Sequence, residues 1–352
     1  MITAFNLDWE GRGNNNDLKE IEDHFPDLDR SKHHKLIGED RDVFVDEILS
    51  DIMSLINPRM KRKVEKLKEE MTERAEQIEK TEEEDPFLPG FESSIVNSLG
   101  HGIDLRLDGD LIQKEWFPEK DWDVFLSHSH NDLDKALKIK VLLEHFGLKV
   151  FVDSTVWGFA DNLLRDIDEI YTKEKNRTYS YEKRNQTTAA VHLMLSTALT
   201  QVMDNAEAVF FLNTPNSTLQ HFAGTEYDKT LIASPWIYHE IMMTKFLRPN
   251  AYNMREKGII NENGEYTNKY KNLMMLRSAD LSHMHKLSLS NFVGWVLSLN
   301  NERRKNGNEQ WENGCFVLEA YKFGPDSCDT SDVLKRRMKA MEKLYSISES
   351  SR

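Results

Sequence analysis

From about residue 121 onward, short apolar runs alternate with stretches that carry apolar residues at helical spacing. The apolar runs have the length of buried strands and lie at 124–126, 148–152 and 208–212. The stretches with helical spacing lie at 133–146, 160–171, 189–203 and 236–246. This alternation predicts an α/β domain, in which helices flank a parallel sheet of short buried strands. Ligands of such sheets bind beyond the carboxyl ends of the strands, where Ser127, Asp153 and Asn213 fall.

Residues 1–120 have a different pattern, which predicts a mainly helical N-terminal region of unknown role. Apolar residues recur from 44 to 55 at the spacing of a helix that is buried on one face. A densely charged helix with a thin apolar stripe is predicted at about 59–82. It is either a solvated helix that leans on its own protein or one strand of a short coiled coil.

The C-terminal part is predicted to be an extension that ends in a helix at 331–345. Within the α/β domain, the polar and basic stretch at 172–184 is predicted to be an exposed loop, and a further strand is predicted at 271–276. The expected division of the chain is 1–120, 121–300 and 301–352.

Composition limits the compartment and the partners. The formal net charge of −14 disfavours nucleic-acid binding, because such binding relies on clustered Lys and Arg. Only two cysteines are present, so we expect no disulfide framework and a reduced, cytoplasmic protein. No apolar run approaches the roughly 20 residues of a membrane-spanning helix, and the N-terminus lacks the pattern of a secretory signal. We therefore expect no direct binding to nucleic acid or membrane.

Several segments of the α/β domain form a recognisable series. The segment DWDVFLSHSHND at 121–132 contains an apolar strand that ends in Ser-His, and GLKVFVD at 147–153 and AEAVFFLNTPNS at 206–217 contain two more strands. The segment SPWIYHEI at 234–241 is a helix start with a Trp four residues before a Glu, and the apolar stretch 292–295 follows later. In this order, the segments resemble the strands, the W-x-x-x-E helix start and the late Phe-Trp pair of Toll/interleukin-1 receptor (TIR) domains.

The resemblance covers residues 121–300 and implies a flavodoxin-like (TIR-like) fold, a parallel sheet flanked by helices. The loop STVWGFAD at 154–161 and the insertion at 172–188 look more like bacterial TIR proteins than like receptor-type signalling domains. In bacterial members the resemblance implies cleavage of NAD+, in several cases for defence against phage. It also implies a homo-oligomer held by TIR–TIR contacts, a sensor or effector protein as a candidate partner, and a sensor or assembly role for residues 1–120.

Glu240, the last residue of the W-x-x-x-E start, is the candidate catalytic carboxylate. Loss of nicotinamide from NAD+ breaks a C–N glycosidic bond through a transition state with positive charge on the ribose, which a carboxylate stabilises. A general acid is dispensable, because nicotinamide leaves as a neutral pyridine. Trp236 lies one helical turn earlier and is a candidate to stack on a base or to shape a dry pocket. The alternative is a surface Glu beside a core Trp on an amphipathic helix.

Five further residues are candidates for substrate binding, and each has a structural alternative. Ser127 and His128 end the first strand of the domain, where they suit a phosphate or a ribose; the alternative is a turn-forming serine. Asp153 is a candidate to bind a ribose hydroxyl or to cap the next segment. Trp157 and Phe159 are candidates to cover the nicotinamide ring or to contact a neighbouring copy.

No metal ion or cofactor is expected. The pairs His128/His130 and His283/His285 each supply two ligands at alternate positions, but no third ligand for zinc is evident. The sequence contains no G-x-S-x-G elbow, no P-loop and no G-x-G-x-x-G fingerprint. If NAD+ binds, we therefore expect it to be a substrate and not a redox cofactor.

Taken with the resemblance, these residues favour a TIR-domain NAD+ glycohydrolase or cyclase. The product depends on whether water or the adenine attacks the ribosyl cation. Two alternatives stay open: a non-catalytic TIR scaffold that acts by homotypic assembly, and a nucleoside hydrolase or deoxyribosyltransferase on a similar fold.

Overall fold

In the computed structural model, the described residues are 3–8, 41–84, 122–154, 163–165, 167–173, 178–218, 231–247, 277–305 and 339–346. At their centre lies a five-stranded sheet whose strands are all parallel. Its strands are β1 (Thr3–Asp8), β2 (Trp122–Ser127), β3 (Val150–Val152), β4 (Ala206–Asn213) and β7 (His285–Lys286), in the spatial order β3-β2-β4-β1-β7. A separate antiparallel pair is formed by β5 (Leu231–Ile232) and β6 (Arg277–Ser278).

Helices cover both faces of this sheet, so the predicted α/β fold is confirmed. The helices are α1 (Arg41–Ile56), α2 (Arg59–Glu84), α3 (Leu133–His145), α4 (Tyr181–Asn205), α5 (Pro235–Phe246) and α6 (Leu289–Lys305). One face packs against α1, α2, α3, α6 and the helical residues 339–346. The opposite face packs against α4 and α5. A helix with both the length and the apolar character needed to cross a bilayer is not found among the described residues.

β1 is the largest difference from the sequence-based expectation. Residues 3–8 belong to the region that is predicted to be mainly helical, yet they form a strand between β4 and β7, with Phe5 opposite Phe210. In the flavodoxin-like order 2-1-3-4-5 this is the fourth position. Alternation explains the strand, because Phe5 and Leu7 enter one core cluster and Ala4 enters the other. The sheet therefore includes a strand that precedes the predicted domain boundary at 120/121 in the chain.

The two helices predicted in the N-terminal region are present as α1 and α2, and both pack on α3. Met60 of α2 is buried in the core cluster that α3 shares. Lys63 of α2 pairs with Glu144 of α3 at 3.3 Å, and Lys138 of α3 pairs with Asp46 of α1 at 2.6 Å. The first half of α2 therefore leans on its own protein, in agreement with one of its two interpretations.

α4 begins earlier than predicted, at Tyr181, inside the stretch that is predicted to be an exposed loop. The reason is a buried acceptor beside its first turns. Asp168 accepts hydrogen bonds from Nε of Arg184 at 2.9 Å and from Oγ1 of Thr187 at 2.8 Å. Arg184 and Thr187 thus reach their acceptor because this segment is helical. The local pattern of hydrophobic residues does not indicate such a helix.

The C-terminal helical residues 339–346 are part of the core, in agreement with the predicted terminal helix. The indole Nε1 of Trp295 in α6 donates to the backbone oxygen of Ala340 at 3.0 Å. The predicted strand at 271–276 and the rest of the extension after α6 lie outside the described residues.

The substitution Phe5→Ala tests whether β1 is an integral strand. Phe5 is fully buried and meets Phe210 edge-to-face, with 5.4 Å between ring centroids. Loss of a buried aromatic ring costs about 3–5 kcal/mol, so we expect the free energy of unfolding of the whole protein, measured in urea, to fall by that amount. The control Leu193→Ala, at a residue that is 69% exposed on α4, should change it by less than about 0.5 kcal/mol. Equal effects of the two substitutions would contradict the position of β1.

Candidate active site

The strand connections place the candidate site between β2 and β4. The chain leaves β2 through α3 toward β3, on one side, and then returns through α4 to β4, on the other side. α3 packs on one face of the sheet and α4 on the opposite face. In open α/β sheets such a reversal forms a crevice at the carboxyl ends of the two strands, where ligands bind. Ser127, the last residue of β2, lies at this point.

Ser127 and Asp153 both face the side of the sheet that α5 covers. Successive side chains of a strand point to opposite faces. Phe125 and Phe151 belong to the core cluster under α4 and α5, so the residues two positions later face the same side. Ser127 and Asp153 are buried there, with exposures of 1% and 4%. The strand ends thus bring two predicted site residues under the helix that carries Glu240.

α5 begins where the sequence predicts and turns Glu240 toward the sheet. Ser234 is its N-cap and accepts a hydrogen bond from the backbone nitrogen of Ile237 at 3.3 Å, while Pro235 occupies the first helical position. The buried residues of α5 recur at helical spacing: Ile237, Glu240, Ile241 and Thr244. Glu240 is the ionisable member of this stripe, which rules out the alternative of a surface glutamate.

α5 is also held against α4 by hydrogen bonds next to Glu240. Nε2 of His239 lies 3.0 Å from Oγ of Ser196 and 3.2 Å from Oγ1 of Thr200. Thr200 donates its own proton to the backbone oxygen of Ser196 at 2.8 Å, so its oxygen is left to accept from the imidazole. Burial lowers the pKa of His239, and the neutral ring suits these hydroxyl partners. The contacts restrict the rotation of α5 and therefore the direction of Glu240.

The central contact of the site joins Ser127 to Glu240. The Ser127 hydroxyl donates to Oε2 of Glu240 at 2.5 Å. Glu240 has 0% exposure, and its other oxygen, Oε1, has no hydrogen-bond partner in the described structure. A buried carboxyl oxygen without a partner is destabilising. Such groups are typical of functional sites, where a ligand supplies the missing partner.

The surroundings of Glu240 favour its neutral form. Burial raises the pKa of Glu240 well above its ordinary value, and the negative charge of Asp153 raises it further. The hydrogen bond from Ser127 lowers this pKa but does not cancel the two larger effects. A positive charge placed beside Glu240 would offset the effect of Asp153 and lower this pKa.

His128 pairs with Asp153 across the ends of β2 and β3. Nδ1 of His128 lies 2.9 Å from Oδ1 of Asp153, and the His128 side chain is buried. The distance is that of an ion pair, but the direction of approach is not that of a hydrogen bond, and neither ring nitrogen has a hydrogen-bond partner among the residues described. Nδ1 of His128 is therefore occupied by its close contact with Asp153, whereas Nε2 is left to a polar ligand.

Buried polar atoms without partners gather at this edge of the sheet. Within the described ranges they include Oε1 of Glu240, both ring nitrogens of His128 and Oγ of Ser154. Native proteins leave few buried polar atoms unpaired. Their concentration on three neighbouring segments is expected where a polar ligand completes the hydrogen bonds.

A second buried network, which none of the sequence motifs indicates, braces the loops beside the site. Asp132, with 0% exposure, accepts from Oγ1 of Thr214 at 2.5 Å and from Nδ2 of Asn216 at 2.9 Å, and Nζ of Lys135 lies at 3.1 Å. The network ties the turn after β2 to the loop after β4, on both sides of the strand reversal. The one hint of this network in the sequence is that polar residues directly follow both strand motifs.

The remaining predicted site residues are less closely placed. Trp236 is half-buried on α5, and its ring meets that of His192 on α4 edge-to-face, with 5.5 Å between centroids. Trp157 and Phe159 lie outside the described residues. In the part of the chain that is described, no group of three or more His, Cys, Asp or Glu side chains has an arrangement suited to a metal ion.

The raised pKa of Glu240 predicts a pH-dependent stability. In the unfolded chain the carboxyl ionises near its ordinary pKa, whereas in the folded protein it stays neutral to higher pH. The stability that the neutral form contributes is fully present below the unfolded pKa and is lost as the pH rises through the folded pKa. We expect Glu240→Gln, which stays neutral, to melt above the wild type at about pH 8, with a difference that shrinks toward pH 4.

Thermal melting of both proteins across this pH range is the measurement. The control Glu182→Gln, at an exposed position in the first turn of α4, should show no pH-dependent difference from the wild type. A Glu240→Gln protein that melts below the wild type at every pH would contradict a buried, neutral carboxyl.

Comparison of the chain with protein-family models, with curated proteins and with solved structures finds no match. The resemblance to TIR domains therefore rests on the sequence motifs. Independently of that resemblance, the chain has a parallel α/β sheet and a buried Ser127–Glu240 contact at the carboxyl end of β2.

Proposed function

We propose that this protein is an NAD+ nucleosidase, which cleaves the nicotinamide–ribose bond as a glycohydrolase or an ADP-ribosyl cyclase. The observation that carries the proposal is the buried carboxyl of Glu240 at the ends of parallel strands, bonded to Ser127 through one oxygen while the other has no partner among the described residues. The resemblance of segment 234–241 to the W-x-x-x-E helix start supports the same residue. NAD+ is the substrate, and the reaction needs no metal or redox cofactor.

The chemistry requires little more than a well-placed negative charge. The electron pair of the C–N bond moves to the pyridine nitrogen, nicotinamide leaves as a neutral molecule, and the ribose carbon gains positive charge. A carboxylate beside the sugar stabilises this charge and orients the ribose hydroxyls. In hydrolysis water then adds to the carbon and releases one proton. In cyclisation a nitrogen of the adenine adds instead.

The electrostatics of the site suit the cationic ring of NAD+. Because burial and Asp153 raise the pKa of Glu240, a nearby positive charge returns that pKa toward its ordinary range. Ser127 acts in the same direction, since its hydrogen bond favours the ionised carboxyl. We therefore expect Glu240 to rest in the neutral form and to ionise when NAD+ binds, so that the charge is present when the bond breaks.

His128 and Asp153 extend the proposed site toward the rest of the nucleotide. The ring nitrogens of His128 have no hydrogen-bond partners in the described ranges, and an imidazole N–H suits a phosphate oxygen. The carboxylate of Asp153 suits a ribose hydroxyl, which donates to it. His128 directly follows Ser127, and Asp153 follows the neighbouring strand β3. One nucleotide is therefore able to reach Ser127, His128 and Asp153.

The reactive centre is closed in this structure, because Glu240, Ser127 and His128 are each no more than 3% exposed. Entry of a substrate requires the surrounding elements to move apart, so we expect activity to depend on conditions that favour this opening. The TIR resemblance points to self-association through TIR–TIR contacts, and to a sensor or effector partner, as such conditions. It also extends the proposal to a cytoplasmic role in bacterial anti-phage defence.

The direct test is to incubate NAD+ with concentrated protein and to separate the products by chromatography. We expect the wild type to release nicotinamide together with ADP-ribose or a cyclised ADP-ribose. Glu240→Gln keeps the shape of the side chain but cannot carry the negative charge, so we expect a rate lower by about 100-fold or more. The matched control Glu182→Gln, on the exposed start of α4, should keep the wild-type rate.

Two results of this experiment would favour the other functions. No release of nicotinamide, even at high protein concentration and under crowding, would favour a scaffold, whose cellular phenotype should survive Glu240→Gln. Release of bases from nucleosides without a nicotinamide group, at rates similar to that from NAD+, would favour a nucleoside hydrolase or deoxyribosyltransferase.

The pH dependence of catalysis follows from the same carboxyl group. The value of kcat/KM reports ionisations of the free enzyme, and the active form of Glu240 is the carboxylate. We expect kcat/KM to fall as the pH decreases through the raised pKa of the Glu240–Asp153 pair, above the ordinary range of a glutamate. Ser127→Ala removes the bond that lowers this pKa and should move the fall to higher pH. An unshifted profile in Ser127→Ala would contradict the role of Glu240.

A further inference from the structure

We propose that β1 supplies a substrate-binding residue to the site, Asn6, whose side-chain carbonyl accepts a hydrogen bond from an N–H or O–H donor in the nicotinamide–ribose half of the substrate. This inference rests on the proposed function and extends the site to the first strand of the chain. None of the sequence motifs includes this residue.

The sheet register places Asn6 level with Ser127. Asn6 of β1 and Ser127 of β2 both pair with Phe211 of the intervening strand β4, one from each side. Two strand spacings, roughly 10 Å, therefore separate their backbones. A nucleoside that contacts Glu240 above Ser127 spans a distance of this order.

Asn6 also faces the same side of the sheet as Ser127. Ala4, two residues earlier in β1, belongs to the core cluster under α4 and α5, together with Phe211. Side chains two positions apart on a strand point to the same face, so Asn6 points toward the side from which α5 presents Glu240. Phe5 and Leu7 point the other way, into the opposite cluster.

The fold alone gives no reason for an amide at this position. Asn6 is 3% exposed, and its Oδ1 is buried without a hydrogen-bond partner among the described residues. Asparagine is depleted in strands, and an unpaired buried carbonyl is destabilising. An apolar residue of similar size would suit the strand better. The amide is explained if a bound ligand, and not the chain, supplies the partner of its carbonyl.

The chemistry of the acceptor restricts the ligand group. A side-chain carbonyl accepts and does not donate, so it selects for a donor. In the half of NAD+ that Glu240 is proposed to hold, the donors are the carboxamide N–H of nicotinamide and the hydroxyls of its ribose. Deamido-NAD+, with a carboxylate in place of the carboxamide, and 2′-deoxy-NAD+, without the ribose 2′-hydroxyl, distinguish these two sources.

The experiment measures binding without turnover, by calorimetry on the full chain in the Glu240→Gln background. NAD+, deamido-NAD+ and 2′-deoxy-NAD+ are titrated into this protein and into the same protein with Asn6→Leu. We expect Asn6→Leu to weaken NAD+ binding by about 10-fold and to abolish the preference for NAD+ over one of the two analogues. The analogue whose disadvantage disappears identifies the donor that Asn6 recognises.

A matched Asn→Leu control and a melting measurement separate binding from folding. Asn300 is a buried asparagine on α6, which packs on the face of the sheet opposite to α4 and α5. Asn300→Leu should therefore leave all three affinities unchanged. Because Oδ1 of Asn6 has no partner to lose in the described structure, Asn6→Leu should melt at the wild-type temperature or above it.

Two outcomes overturn the inference. Unchanged preferences among the three ligands in Asn6→Leu would show that Asn6 does not contact the substrate. A lower melting temperature with equal weakening of all three ligands would show that the amide has only a structural role. If neither the wild type nor the Glu240→Gln protein binds any of the three dinucleotides, the proposed function itself is contradicted, which is distinct from both outcomes above.

Discussion

One buried contact, the hydrogen bond from Ser127 to Glu240, fixes the position of α5 over the sheet edge and influences the ionisation of Glu240. It joins β2 to α5 across 113 residues of chain. It lies at the carboxyl end of β2, where the connections from β2 to β3 and from β3 to β4 run to opposite sides. A carboxyl group persists in an apolar interior only with partners, because desolvation penalises its charge. The same interaction therefore holds the helix over the sheet edge and tunes the protonation of the group that it holds.

The surrounding structure is organised to keep this contact in place. The Asp132 network ties together the loops after β2 and β4, and the His239 contacts hold α5 to α4. Burial of these groups keeps the local dielectric low, which strengthens each polar interaction and also penalises each polar atom left unpaired. Rigid support combined with unpaired polar atoms is the arrangement expected of a preorganised binding site, whose missing partners come from the ligand.

Much of the fold could be predicted because buried parallel strands are continuous apolar runs and helices have a longer period. The strand ends were visible, so Ser127 and Asp153 could be assigned to one edge. Glu240 was found through a motif, because a glutamate on a helix has the same spacing whether it faces solvent or sheet. Its burial, its bond to Ser127 and the influence of Asp153 are tertiary facts that no local pattern contains.

Residues that pair across long distances in the chain mark the limit of such prediction. The alternation of Phe5 and Leu7 with Asn6 and Asp8 is that of a strand, but nothing near it selects a position between β4 and β7. That choice is made by the core clusters on both faces, to which many distant segments contribute. Since β1 fills an inner position of the sheet, the N-terminal segment cannot be a detachable accessory of the candidate site. Loss of its pairing would remove a core strand and Asn6 together, so under the proposed role of Asn6 folding and binding would depend on the same six residues.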